Sequence, residues 1–285
     1  MKCKFIRDHE NDFNIRRMCL VLGVKRSSYY AWRNRSESYR KLEDKELLKE
    51  IVKIHEDSSR RYGSLKVHKE LRELGFICGH NRAARIMREN GLRSKLTKKY
   101  RNCSGIVKDD TAKDNLLNRE FNPDNPNEVW VTDITYIHTS SGWMYLCVFM
   151  DLFSRLIVGW SVAAHMRTEL VIEALDKACK NRKPGEGLMI HSDRGTQFGS
   201  KEYTCYLSDN GFRQSMSRRG NCWDNACVES FFKILKYEEL NYIKHSGCTD
   251  LKWSLFKYID VFYNRKRIHS TLGYESPMNY EKKVA

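Results

Sequence analysis

Residues 129–137 read VWVTDITYI. Side chains alternate between the two faces of a strand, so Val129, Val131, Asp133, Thr135 and Ile137 share one face. Four of these suit a half-buried strand, and the carboxylate in their midst does not. The turn residues Ser140, Ser141 and Gly142 follow, then the apolar stretch WMYLCVFMDLF from 143 and a third run, RLIVGWSVA, at 155–163. Three adjacent strands with short turns make an antiparallel meander. Downstream the pattern changes. A helix is expected over 168–181, then the strand LMIHSD, a helix at 200–210, the short strand FRQSMS and a long helix from about 224 to 240. Strands followed by strand–helix alternation indicate an α/β fold, a mixed sheet covered by helices.

Three acids stand out by context. Asp133 occupies an inward strand position, where a lone carboxylate costs several kcal/mol (about 3–5) unless paired or coordinated. Asp193 ends the strand LMIHS, just before Arg194 and Gly195 turn the chain, and functional groups gather at strand ends. Glu229 lies in the helical stretch NACVESFFKILK, beside the apolar stripe Val228, Phe231 and Leu235. Each has a mundane alternative: a satisfied core Asp, a turn Asp, a surface Glu. Taken together they form an oxygen ligand set suited to two hard divalent cations, the arrangement used for in-line phosphoryl displacement. On the Glu229 helix, Lys233, Lys236 and Asn225 return to the same face. Lysines beside a metal-holding acid fit phosphate contact; the alternative is an ordinary Glu–Lys surface pair.

The N-terminal part differs in charge. The chain has 285 residues and a formal net charge of +15. Residues 1–120 hold 30 basic against 17 acidic side chains, and the remainder 21 against 19. Such asymmetry reads as a nucleic-acid anchor joined to a near-neutral part. Residues 14–35 read as two short helices around Gly23, with Ser27 or Ser28 as cap, a weak helix-turn-helix pattern. Residues 44–92 read as three helices. The third, from about Asn81, places Ala84, Ile86 and Met87 inward and Arg82, Arg85 and Arg88 outward, as a major-groove reader would. Arg60 and Arg61 beside Tyr62, and Lys98 and Lys99 in the acid-free stretch GLRSKLTKKYR at 91–101, extend the basic surface. The organisation expected is a helical segment at 1–43, a helix-turn-helix-like DNA-binding domain at 44–101, a linker at 102–126, a catalytic domain at 127–240 and a helical extension at 241–285.

Other classes fit poorly. The longest apolar run, WMYLCVFM at 143–150, is far short of the ~20 residues of a membrane span. The first 25 residues are charged almost throughout, unlike a secretory leader. Ten cysteines are scattered without a C-x-x-C pair, which favours reduced thiols and a cytoplasmic location over a disulfide framework. His55, His68, Cys78 and His80 form the one local cluster that hints at zinc, and a second cysteine is missing.

WVTDITYI, HSDRGTQF and NCWDNACVESFFKILK resemble the three catalytic blocks of the DDE transposases and retroviral integrases, with 35 residues between Asp193 and Glu229. YNRKRIHSTLGYESP and RRMCLVLGVKRSSYYAW narrow the resemblance to the OrfB product of the IS-three family of bacterial insertion sequences, over nearly the whole chain. The resemblance implies an RNase H-like catalytic domain with Asp133, Asp193 and Glu229 as ligands for two Mg²⁺ ions, replaceable by Mn²⁺. It implies nicking at the element's 3′ ends and attack of the freed 3′-hydroxyl on another phosphodiester. It assigns Lys236, and more weakly Lys233, to terminal DNA, and brings Trp223, Asp224 and Asn225 near the scissile end. Arg265, Lys266 and Arg267, with cations beside Tyr263, read either as a phosphate-contacting patch or as the solvated basic end of a capping helix, and His191 and Gln197, flanking Asp193, read either as groups that support it or as structural ones. The implied partners are double-stranded DNA, further copies of the chain, and an OrfA product that supplies an extra DNA-binding part. An inert end-binding regulator and a nuclease without strand transfer remain the competing readings.

Overall fold

The computed structural model describes residues 1–95, 113–219 and 221–284. Lys98 and Lys99 lie outside the described residues. Three short helices open the chain, α1 (Lys2–Asp8), α2 (Ile15–Val21) and α3 (Arg26–Arg33), around a small core of Ile6, Met18, Cys19 and Tyr29. Asn14 caps α2 through its side chain, which accepts from the Arg16 amide. Neither Ser27 nor Ser28 caps α3: the helix starts at Arg26 with Lys25 at the cap position.

A second helical group follows: α4 (Tyr39–Asp57), α5 (Ser64–Glu73) and α6 (His80–Glu89). α4 begins earlier than the inward-facing periodicity indicated, because its first turn is exposed and buries no residue. On α6 the inward residues are Ala83, Ile86 and Met87, so Ala83 takes the place expected for Ala84.

The remaining strands and helices are β1 (Val129–Thr139), β2 (Gly142–Asp151), β3 (Ile157–Ala163), α7 (Thr168–Arg182), β4 (Met189–Ser192), α8 (Lys201–Asp209), β5 (Arg213–Met216) and α9 (Ala226–Glu238). Then come α10 (Cys248–Phe256), which runs on as a π-helical turn over Lys257–Tyr263, and α11 (Pro277–Val284). Among the described residues the strands form one five-stranded sheet in the order β3-β2-β1-β4-β5. The β1–β2 and β2–β3 pairs are antiparallel, and β4 joins β1 and β5 in parallel. This is the mixed sheet of an RNase H-like fold behind an all-α region.

Helices cover both faces. Even-numbered β1 residues such as Trp130 pack with α7 and α8 around Leu175 and Tyr203. Gly159 on β3 makes the α7 contact possible: a Cβ there would meet the Ala174 carbonyl oxygen at 2.5 Å. Odd-numbered residues Val131 and Ile137 join Val228, Phe231 and Leu235 of α9, and this core continues through Tyr258 and Phe262 to Ile51 and Val67 of the helical group.

That continuity is stitched by polar contacts. Arg61 donates to Glu239 Oε2 at 2.6 Å and lies 4.3 Å over the Phe262 ring. The Tyr62 hydroxyl donates to the Lys266 carbonyl and accepts from the Ile268 amide. Both side chains are buried at the joint.

Candidate active site

The sheet register brings the two aspartates together. Parallel pairing of β1 with β4 sets Val131 opposite His191. Two residues further on, Asp133 and Asp193 come level where β4 has ended. Neighbouring strands lie about 4.8 Å apart, so the two carboxylates share one end of the sheet. Asp133 accepts from the Ile134 amide at 2.7 Å, and Asp193 from the Gly195 amide at 3.0 Å. Gly195 keeps that turn tight: a Cβ there would stand 3.1 Å from Asp193 Oδ1.

α9 brings in Glu229. At its start Asn225 donates its side-chain amide to the Thr132 carbonyl at 3.1 Å, which pins the helix to β1 beside Asp133. Glu229 follows one turn later, exposed, next to the buried Val228. Burial raises the Asp133 carboxyl well above the usual carboxylate range, and the charges of Asp193 and Glu229 add to the rise. Asp193 is also raised, mainly because protein surrounds its carboxylate although the residue as a whole is exposed. Glu229 is raised by desolvation and by Asp193. The charges of Asp193 and Glu229 thus act on Asp133, and that of Asp193 on Glu229.

The three are electrostatic neighbours, not a closed ligand cage. Among the described residues no group of three or more His, Cys, Asp and Glu side chains is disposed to hold a metal ion. In the cluster that hints at zinc, His68 bonds the Cys78 carbonyl, His80 the Ser64 hydroxyl, and His55 the Arg93 carbonyl.

Lys236 stands with the acids. Its ammonium is 4.9 Å over the Tyr136 ring, its pKa is lowered by burial, and its charge is felt at Asp133. Lys233 is exposed on the same helix. His191 is fully buried, between the hydroxyls of Ser215 (2.8 Å) and Ser217 (3.1 Å). Burial lowers it to about 4, so it remains neutral and ties β4 to β5. Gln197 donates to the Met166 carbonyl across the turn that follows Asp193.

In the loop before α9 the three expected residues separate. Trp223 is 68% exposed. Asp224 is buried and held by Arg218, Arg119 and the Asn115 amide. It is a structural clamp, and no local pattern distinguishes it, because Arg119 lies 105 residues away. Asn225 is the peg between α9 and β1.

Several arginines expected at DNA are engaged inside the protein. Arg61 is buried against Glu239. Arg267 is buried too, forming a two-pronged pair with Glu238 at 2.9 and 2.8 Å, with the Tyr258 hydroxyl on the same carboxylate. Both guanidiniums are turned inward onto carboxylates and are nearly closed off from solvent, so the structure places them inside the protein and not on an exposed basic surface. Arg82 and Arg85 fold back on Asp44, with Glu43 and Glu89 as further partners. Arg60, Arg88, Arg265 and Lys266 are exposed.

Comparisons with known proteins agree with this architecture. Family models described as an integrase core domain match residues 123–222 and 210–277, and one described as an HTH-like domain matches residues 41–100. Transposase InsF for insertion sequence IS3A of Escherichia coli is 37% identical over 289 residues, covering 99% of each chain. The chain belongs to the IS3 family of transposases. Its 31 kDa relative from insertion element IS600 of Shigella sonnei is 40% identical over 266 residues, covering 93% of this chain and 98% of that one. Among solved structures, a simian T-cell lymphotropic virus intasome chain aligns over 81% of this chain and 74% of its own, at 16% identity and a TM-score of 0.47. The HTLV-2 integrase catalytic core with magnesium aligns over 55% and 97%, at 18% identity and a TM-score of 0.43. No helix among the described residues is long and apolar enough to cross a membrane.

Proposed function

We propose that this transposase nicks the 3′ ends of its insertion sequence and joins the freed ends to another phosphodiester, with Asp133, Asp193 and Glu229 holding Mg²⁺. The observation that carries the reading is the register that sets Asp133 level with Asp193 while Glu229 feels the charge of Asp193. The donor set fits the ion: all-oxygen, anionic, and made costly by mutual repulsion that a cation relieves. Asp193 and Glu229 are exposed, so their side chains have room to close on Asp133. Two ions, Mg²⁺ or Mn²⁺, would supply charge stabilisation at the attacking and leaving oxygens.

In the first step a water oxygen attacks phosphorus, the bond to the 3′ oxygen breaks, and that oxygen takes up a proton. In the second step the 3′-hydroxyl attacks a different phosphodiester. One ester forms as another breaks, so no nucleotide cofactor is needed. Lys236 holds a phosphate near Asp133, and the Asn225 peg fixes the position of α9. Exposed Arg60, Arg88, Arg265 and Lys266 meet double-stranded DNA through phosphates. Joining two ends requires more than one copy, and an OrfA product is the proposed partner for end recognition.

The test uses purified protein, labelled element-end DNA and Mg²⁺. Nicks at the 3′ ends and joined products are expected, and Asp193→Asn should abolish both while leaving DNA binding intact. Binding without nicking would instead support an inert regulator, and nicking without joining a simple nuclease.

A further inference from the structure

Past Ser192, among the described residues, the outer edge of β1 has no strand beside it, and there the even-numbered residues leave the cover of α7. Tyr136 is 61% exposed and Trp143 52% exposed. They meet edge to face at 5.4 Å, and His138 meets Trp143 in the same manner at 5.0 Å. The cation of Lys236 lies over Tyr136. Single exposed aromatics need no explanation. Three rings in contact, with a lysine on one face and a carboxylate site on the same strand, do need one. Tyr136 is three residues from Asp133, about 10 Å along the strand and on its other face, and Lys236, which lies over Tyr136 and acts on Asp133, spans the open strand edge between them.

We infer that this aromatic ledge stacks an unpaired base of the DNA strand whose phosphate enters the acidic site. The inference rests on the proposed function and names the state of DNA that the site takes. The neighbouring aliphatic side chains, Ile137 and Met144, are buried at 5% and 6% exposure. The exposed face is left to aromatic rings and a cation, the make-up that stacks a base and holds its phosphate. Bases inside a duplex are already stacked on their neighbours and gain little from it. A frayed or single-stranded base gains a full aromatic contact, whatever its identity. Lys236 serves both ends of that nucleotide, its phosphate and the ring on which its base rests.

The test measures direct binding without metal, so that it does not depend on cleavage. Wild type, Tyr136→Ala, Trp143→Ala and Tyr136→Phe are titrated with an element-end duplex carrying a short unpaired 3′ tail that contains 2-aminopurine, and with the same duplex made blunt. The alanine variants should weaken tailed-duplex binding by about tenfold, the loss expected for one base–aromatic stack. Tyr136→Phe should retain it, and blunt-duplex binding should change little. Quenching of 2-aminopurine by wild type should disappear in both alanine variants. Equal losses on the two DNAs, or no preference of wild type for the tail, would overturn the ledge. If wild type nicks element ends while the ledge variants bind like wild type, the ledge fails and the transposase reading stands. Tail-specific stacking without nicking would uphold the ledge and remove the proposed nicking-and-joining chemistry. Unchanged thermal unfolding of the alanine variants, expected at exposed positions, separates these outcomes from misfolding.

Discussion

Asp133 and Asp193 come level on adjacent parallel strands, two residues beyond the Val131–His191 rung, and the charge of Asp193 is the strongest like charge acting on Asp133. The pair is a cost to the fold when both are ionised. A carboxyl whose folded pKa lies above its unfolded value binds its proton more tightly when folded. Stability therefore falls as pH rises from about 4 through the raised value. Asp133→Asn should raise the melting temperature at neutral pH by a few degrees, roughly 2–4 °C per kcal/mol gained, and abolish nicking. Mg²⁺ should raise the wild-type melting temperature and leave that of the variant nearly unchanged, as read by differential scanning fluorimetry.

The Glu238–Arg267 pair predicts the opposite sign. Burial alone would raise the Glu238 pKa, yet Arg267 and Tyr258 hold it below the usual range. Removing one member of a buried pair leaves an uncompensated charge and costs about 3–5 kcal/mol. Arg267→Ala should lower the urea midpoint accordingly. Loss of DNA affinity without loss of stability would restore Arg267 to the DNA surface.

Asp224 gives the acid limb of the stability profile. Hydrogen bonds from Arg218 hold its carboxyl well below the usual range, against the effect of burial. A depressed folded pKa contributes stability above the unfolded value, about 4, and loses it as pH falls through the folded value. Asp224→Asn should flatten that acid limb in melting temperature measured from pH 6 downward. Arg119→Ala should flatten it less, since Arg218 remains.

Arg88 and Arg82 separate groove contact from internal pairing. Arg88 is exposed, whereas Arg82 is bound to Asp44 and Glu43. Arg88→Ala should weaken DNA binding and reduce the slope of log affinity against log salt by about 0.9, one phosphate's share. Arg82→Ala should leave the slope unchanged and lower stability.

The local periodicities carried most of the fold. The alternation of VWVTDITYI and the turn at Ser140–Gly142 marked the meander, and Asp133 stood out because it broke an apolar face. The fate of the arginines was not legible. Arg61 and Arg88 look alike in sequence, and what distinguishes them is a partner 178 residues away from Arg61, Glu239. Long-range pairing leaves no local periodicity. Asp224, whose two arginine partners include one more than a hundred residues upstream, was hidden for the same reason. The Tyr136–Trp143 contact is a cross-strand relation, visible only once the hairpin register sets His138 opposite Trp143 and Tyr136 opposite Tyr145.

The joint at Arg61 and Tyr62 bears on how such elements diversify. Because the SSRRYGS loop is locked into Glu239 and the 266–268 backbone, the N-terminal helical group and the C-terminal tail form one heritable unit. A replacement helical group without an arginine at this place would leave Glu239 buried and unpaired, so exchanges of that group should fold only when the tail travels with it.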